Sequence, residues 1–536
     1  MQKLKLAGLS ILSGLLMGIS WPATGNLAPL FFIALIPLLY VEHTISQNLD
    51  QFKSRHVFFS AYTAFFTFNV FTLWWIWFAS AGGMAMVAII YTFFMAVTFY
   101  WFHTAKKRLG TKRGYVALVV LWIGFEWLHS NWEFSHPWNT LGNTFANYPE
   151  LVQWFEFTGV MGGTLWIFVV NILLFKLFKN LFLVKESPKA NIKLISIVAA
   201  IIITPITYSL ITYTNYVEEK NPIEIVVVQP NIDPYHKFGR ITEAEQVNTI
   251  ISLAKQKITP KTQYIVAPET AIPRGSEESE FETNYGIIEI RKLIETFPKI
   301  KFLTGISTQI DYGTQKNKPT PTARSYNNPK RWYDAFNTAI LIDKSTNIQT
   351  YHKSKLVLGA EKMPYPKLLA PLESFAVDLG GTFGSLGAEK AAKIFKNDGL
   401  SIAPIICYES VFAGYCSSYV KKGANLIFII TNDGWWKNTP GYKQHASFAS
   451  LRAIENRRCV VRSANTGTTC IINQRGDIVQ ATDWWVKDVI RGTVNLNKDT
   501  SFYTKYGNVL GRSFGFVSIL LLLLTFVKRF KKLVSK

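Results

Sequence analysis

Cys407 ends a short apolar run, Ile402-Ala403-Pro404-Ile405-Ile406, and is followed at once by Tyr408 and Glu409. A thiol at the tip of a buried strand suits acyl chemistry if a base and a partner for the oxyanion accompany it. Residues of those types stand in two other motifs. Glu269 lies in Val266-Ala267-Pro268-Glu269-Thr270-Ala271, and Lys353 in Tyr351-His352-Lys353-Ser354-Lys355-Leu356-Val357, with Glu361 eight residues on. Competing chemistries find less support. The stretch Phe383-Gly384-Ser385-Leu386-Gly387 lacks the first glycine of GxSxG, and no HExxH run occurs. His445, beyond the Asn432-Asp433 strand end, leaves a Cys–His pair open. The four cysteines (Cys407, Cys416, Cys459, Cys470) show no CxxC or CxxH spacing. Most are expected as small buried hydrophobes, with one disulfide left open.

Alternating strands and helices must position these groups. Strands are expected over 223–229, 264–267, 301–305, 339–343, 402–407, 426–431, 459–463, 469–473 and 492–496, with amphipathic helices over 242–257, 284–296 and 445–456. That alternation indicates an α/β domain with a largely parallel core. Several strands end in polar residues: Gln229 and Asn231, Glu269, Cys407 with Glu409, Asn432 with Asp433, and Asn465. Ligands of open α/β sheets bind at such carboxyl ends.

The rest of the chain reads as membrane. Its 536 residues are 49% hydrophobic, and the mean hydropathy is +0.14. That is too apolar for an ordinary soluble enzyme and too polar for a pure bundle. Seven apolar stretches precede residue 215 (6–22, 28–43, 57–79, 83–103, 115–130, 160–183, 193–213), and an eighth spans 513–527. Much of the net charge of +22 clusters beside them, which fits membrane topology rather than nucleic acid. Lys53, Arg55, Lys106, Lys107, Arg108, Lys176, Lys179, Lys528 and Arg529 mark one side, whereas 131–159 holds no Lys or Arg. The expected layout is a seven-helix membrane domain (1–215), an extracytoplasmic catalytic domain (216–510), and a final helix with a basic cytoplasmic tail (511–536). The N-terminus is expected in the cytoplasm, and the first stretch as a retained helix rather than a cleaved signal. The aromatic loop 131–159 reads as an interfacial belt or as a wall of a lipid cleft. Residues 311–333 are expected as a solvated loop. The apolar insertion 363–387 is expected either as a lid or as plain core packing.

The three motifs resemble those of the nitrilase (carbon–nitrogen hydrolase) superfamily, which uses a Glu-Lys-Cys triad. Thr431-Asn432-Asp433-Gly434-Trp435-Trp436, Gln444-His445 and Arg452-Ala453-Ile454-Glu455-Asn456 continue the pattern. With its apolar flanks, Glu126-Trp127, Pro137-Trp138, Leu141-Gly142 and Gly159-Val160-Met161-Gly162-Gly163, the chain is most similar to the superfamily's membrane branch, the bacterial apolipoprotein N-acyltransferases. The resemblance implies an αββα sandwich beside a multi-pass helical domain in the bacterial inner membrane. It implies acyl transfer from a phospholipid to the N-terminal amine of a diacylated apolipoprotein by a ping-pong thioester route, with no metal or cofactor. A monomer that binds no nucleic acid is expected.

By the same resemblance Cys407 is the nucleophile, Glu269 the base and Lys353 the oxyanion partner. Glu361, Tyr408 and Glu409 support them, and Phe238, Trp435 and Trp436 line the substrate site. Two departures stand out. Val357-Leu358-Gly359-Ala360-Glu361-Lys362 replaces the family's V-P-F-G-E-Y, and Phe238 stands where tryptophan is common. A membrane-tethered amidase, or a transporter or receptor with a non-catalytic outer domain, remains the alternative. The last would place ionisable residues inside the helices.

Overall fold

The computed structural model describes residues 2–326, 330–365 and 385–534. The chain divides into two compact units: residues 1–74, 84–215 and 508–536, and residues 75–83 with 216–507.

In the first unit, seven helices among the described residues are long and apolar enough to cross a membrane. They are Gln2–Ser20, Ala28–Gln47, Arg55–Leu73, Ala81–Leu109, Val160–Leu183, Pro188–Asn215 and Val509–Val527. The stretch expected at 115–130 is helical too, over Thr111–His129, but Lys112, Arg113 and Glu126 make it less apolar than those seven. The aromatic loop is packed inward at its centre. Trp138, Phe145 and Phe155 are buried, and Glu126 pins the loop by accepting from the Leu141 amide at 2.9 Å and the Thr164 hydroxyl at 2.7 Å. A second ionisable group escaped the sequence reading. Buried Glu42 accepts from His103 at 2.8 Å and is paired with Lys106.

The second unit contains fourteen strands among the described residues, in two sheets. The first comprises β1 (Pro222–Gln229), β2 (Thr262–Val266), β3 (Ile272–Glu277), β4 (Lys301–Thr314), β5 (Arg324–Ser325), β6 (Arg331–Ile342), β7 (Gln349–His352) and β14 (Asp488–Asn495). The second comprises β8 (Phe395–Asn397), β9 (Leu400–Ile406), β10 (Leu426–Thr431), β11 (Val460–Ala464), β12 (Cys470–Ile472) and β13 (Ile478–Ala481). Each sheet has a parallel centre, β1-β2-β4 and β9-β10-β11; β3 also pairs parallel with β4, and the remaining strands are antiparallel.

Alternation along β1 explains the layering. Ile223, Ile225 and Val227 join the core shared with the second sheet, while Val226 and Val228 face the helices Glu243–Lys255 and Tyr285–Thr296. Every residue of β10 is buried, as a strand covered on both faces must be. Helices Ala413–Lys421 and Pro440–Asn456 cover the far side, which completes an αββα sandwich. The Thr242 capping box starts the helix Glu243–Lys255 as its Thr-x-x-Glu spacing requires.

Two expectations need correction. Residues 311–333 are not simply a solvated loop: β4 and β6 continue into it, pairing Asp311 with Tyr333 and Thr314 with Arg331. The Asp311–Arg331 ion pair ties this extension together. All four cysteines are buried free thiols, so the disulfide left open does not form. Of the insertion 363–387, residues 366–384 lie outside the described residues.

Candidate active site

Parallel strands put their carboxyl ends along one edge of each sheet, and the candidate groups follow those ends. Glu269 comes three residues after β2, Lys353 directly after β7, Cys407 directly after β9, and Asp433 two residues after β10. Cys407 adopts a left-handed backbone (φ 50°), a conformation that costs a non-glycine residue energy. The reversal turns the chain from β9 into the short helix Cys407–Val411 and leaves the thiol at the bend.

Glu269 and Lys353 meet directly. The Lys353 ammonium lies 3.1 Å from Glu269 Oε1 and 2.8 Å from Glu361 Oε1. Asn337, in the middle of β6, donates its amide to the same two oxygens at 2.7 and 3.1 Å. Glu361 Oε2 accepts from the Val357 amide at 2.8 Å, so this carboxylate closes the loop that replaces V-P-F-G-E-Y. Burial works against the Lys353 ammonium, but the charges of Glu269 and Glu361 outweigh it and hold its pKa well above the ordinary lysine value. Burial, with the Glu269 charge adding to it and Lys353 opposing, pushes the Cys407 thiol well above an ordinary cysteine. That shift favours a neutral thiol at Cys407.

The Glu269 corner is tightly packed. The Gly305 amide donates to Pro268 O at 3.0 Å, and a Cβ on Gly305 would come within 2.4 Å of the Thr270 nitrogen. Only glycine allows that approach.

Glu409 does not face the thiol. Its Oε1 accepts from the Tyr351 hydroxyl at 2.6 Å and the Ser354 and Lys355 amides at 2.7 and 3.2 Å, and its Oε2 from the Ile406 amide at 2.9 Å. Burial raises its pKa despite those donors. Tyr408 is buried with its ring against Phe412, 5.2 Å between centroids. Phe238 and the two tryptophans are half-buried. Trp435 packs on Tyr235 at 5.2 Å, and Trp436 lies between Trp75 at 4.8 Å and His445 at 5.6 Å.

His445 is committed elsewhere than a Cys–His pair requires. Its Nε2 faces Cys407 O at 3.2 Å and Ser410 Oγ at 2.9 Å, and its Nδ1 faces Asp433 at 3.0 Å. Cys407, Asp433 and His445 do bring ligand-type atoms within 4.8 Å of one another. However, Arg462 holds Asp433 at 2.5 Å, which disfavours a cation there. Burial opposes the Asp433 carboxylate, yet Arg462 and His445 bring it down to about 2.

Sequence reasoning missed Asn337 and Arg462. A usable signal for Asn337 existed, since asparagine is depleted from strands and this one interrupts Phe336-Asn337-Thr338-Ala339. The other polar strand ends are staples between loops. Gln229 donates to Asp483 O and Val486 O, while Asn465 donates to Ile232 O and to Asn432.

Comparison with known proteins agrees with this construction. Residues 225–502 match the carbon-nitrogen hydrolase family, and residues 13–173 match the apolipoprotein N-acyltransferase N-terminal domain. A curated apolipoprotein N-acyltransferase of Chlorobaculum tepidum is 32% identical, covering 94% of this chain and 93% of the relative. The chain belongs to this family. A second member, from Geobacter metallireducens, is 27% identical over 94% of this chain and 91% of its own length. Among solved structures, a nitrilase-superfamily amidase of Nesterenkonia AN1 covers 56% of this chain and 99% of its own, at 12% identity and a TM-score of 0.37. The family carries both halves found here, a multi-pass apolar helical region and a nitrilase-like domain.

Proposed function

We propose that this chain moves a fatty acyl group from a phospholipid to the N-terminal amine of a diacylated apolipoprotein, through a thioester on Cys407. The observation that carries the reading is the Lys353 ammonium held between Glu269 and Glu361, beside a nucleophile on a left-handed bend. Glu269 takes the Cys407 proton as sulfur attacks the ester carbonyl, which suits a thiol that is neutral at rest. Lys353 faces the oxygen that becomes negative, and one such donor is worth ~3 kcal/mol. Collapse breaks the carbon–oxygen bond, and Glu269 returns the proton to the departing lysophospholipid alcohol. The acceptor amine then attacks the thioester and loses a proton to Glu269. The thiol leaves reprotonated as the amide forms. No group outside the chain is needed to balance either half.

The proposal extends to topology. Lys and Arg flank alternate apolar segments, which supports cytoplasmic termini and a periplasmic catalytic unit. The chain is taken to act as a monomer. Phe238, Trp435 and Trp436 are assigned to contact with substrate chains.

Intact-mass measurement after exposure to phospholipid tests the reading. The unsubstituted protein should gain one acyl chain and Cys407→Ala none. An adduct that persists in Cys407→Ala would overturn the assignment of the nucleophile. No adduct in either protein would favour a membrane-tethered amidase.

A further inference from the structure

Glu269 has a second lysine behind it. Lys237 is 1% exposed, on the turn-rich loop between β1 and the helix Glu243–Lys255. Its ammonium donates to the main-chain oxygen of Glu269 at 2.8 Å and to Thr270 Oγ1 at 2.8 Å. Both partners are neutral, which is an unusual position for a buried cation. The loop bearing it is anchored by Gln246, fully buried, whose amide donates to Lys237 O at 2.7 Å.

The position of these partners matters more than their number. Thr270 has φ 46°, a left-handed conformation that a β-branched residue adopts only under constraint. This corner directly follows the base and sets the direction in which the Glu269 side chain leaves the backbone. Lys353 and Asn337 hold the carboxylate end of Glu269, and Lys237 holds its main-chain end. We propose that Lys237 is a positioning residue for Glu269, clamping the Glu269–Thr270 corner from its main-chain side.

This rests on the reading of Glu269 as the base. Electrostatics agree with the geometry. Burial lowers the Lys237 pKa to about 7, and Glu269 is the charged group that opposes the shift. The Phe238 ring centroid lies 5.7 Å from the ammonium, and Gln246 holds the Lys237 main chain. Lys353 and Glu361 act on Glu269 from its other side.

The test measures thioester formation on Cys407 with labelled phospholipid in the full-length protein, with rate and KM resolved, for Lys237→Met, Lys237→Arg and Thr270→Val. Lys237→Met should slow acylation roughly tenfold or more, with the KM for phospholipid retained. Lys237→Arg keeps a donor at the corner and should recover part of the rate. Thr270→Val removes one of the two acceptors of the clamp, so it should slow the reaction with the KM also retained. It also serves if Lys237→Met does not fold. An unsubstituted rate in a folded Lys237→Met, or a Lys237→Arg as impaired as Lys237→Met, would overturn the inference, as would Thr270→Val at the unsubstituted rate. If the unsubstituted protein itself forms no thioester, it is the catalytic reading that fails, so the two failures are distinguishable.

Discussion

Glu409 Oε1 accepts a hydrogen bond from the Ser354 amide at 2.7 Å, which joins the bend carrying Cys407 to the residue that follows Lys353. The same carboxylate holds Ile406, just before Cys407, and Tyr351, two residues before Lys353. The separation between thiol and ammonium is therefore set by one buried side chain rather than by either loop alone.

Replacing Glu409 with Gln should misplace both groups together. An amide has one acceptor oxygen, so at least one of the five donors, the Tyr419 hydroxyl included, is left buried and unsatisfied, at about 1–3 kcal/mol. Acylation of Cys407 should fall roughly tenfold to a hundredfold, read as single-turnover thioester formation. A Glu409→Gln protein that acylates at the unsubstituted rate would remove the staple from the account.

Glu361→Gln should weaken the hold on Lys353 and shift the basic limb of activity. Lys353 keeps a raised pKa because Glu269 and Glu361 offset the cost of burial. With one carboxylate gone the ammonium deprotonates more easily, so activity should fail at a lower alkaline pH than in the unsubstituted protein. A pH–rate profile of transfer checks the direction.

Alkylation should report the protonation state of the nucleophile. A thiol raised above the usual cysteine range bears little thiolate near neutrality, so its reaction with a neutral alkylating agent should keep rising beyond pH 9. A plateau near pH 7 would mean a pre-formed thiolate instead. Cys416, Cys459 and Cys470 are more deeply buried, and peptide mapping should find them unlabelled while the protein is folded.

Asp433 should give an acid-sensitive contribution to stability. Its folded pKa, about 2, lies below the ordinary value of 3.8. The contribution is fully present above about pH 4 and is lost as pH falls toward 2, roughly 2 kcal/mol in all. Thermal unfolding followed across pH 2–6 should show this dependence reduced in Asp433→Asn. That variant should also be less stable near neutrality, because it leaves Arg462 buried without its anion.

The legible part of this protein was local. Apolar runs long enough to cross a bilayer, the Thr242 cap, and the all-apolar Leu426-Ile427-Phe428-Ile429-Ile430 strand declare themselves through spacing and side-chain type. Glu269, Lys353 and Cys407 were legible because each stands in a distinctive motif at a strand end. The segment Trp75–Gly83 was not, since it reads as part of an apolar stretch, yet Trp75 packs on Trp436 within the catalytic unit. Glu409 was legible as a neighbour of Cys407, but its role was not, because three of its five donors lie more than fifty residues away.

Sequence alone determined the fold class and pointed to the candidate groups, because hydrophobic periodicity and strand-end motifs are properties of neighbouring residues. Tertiary structure alone decided which groups hold which. Asn337 on Glu269, Glu409 beneath the Lys353 loop, Arg462 on Asp433 and Lys237 behind the base are pairings across long stretches of chain. Burial makes those pairings obligatory, since a polar group removed from water must find a partner wherever the fold supplies one.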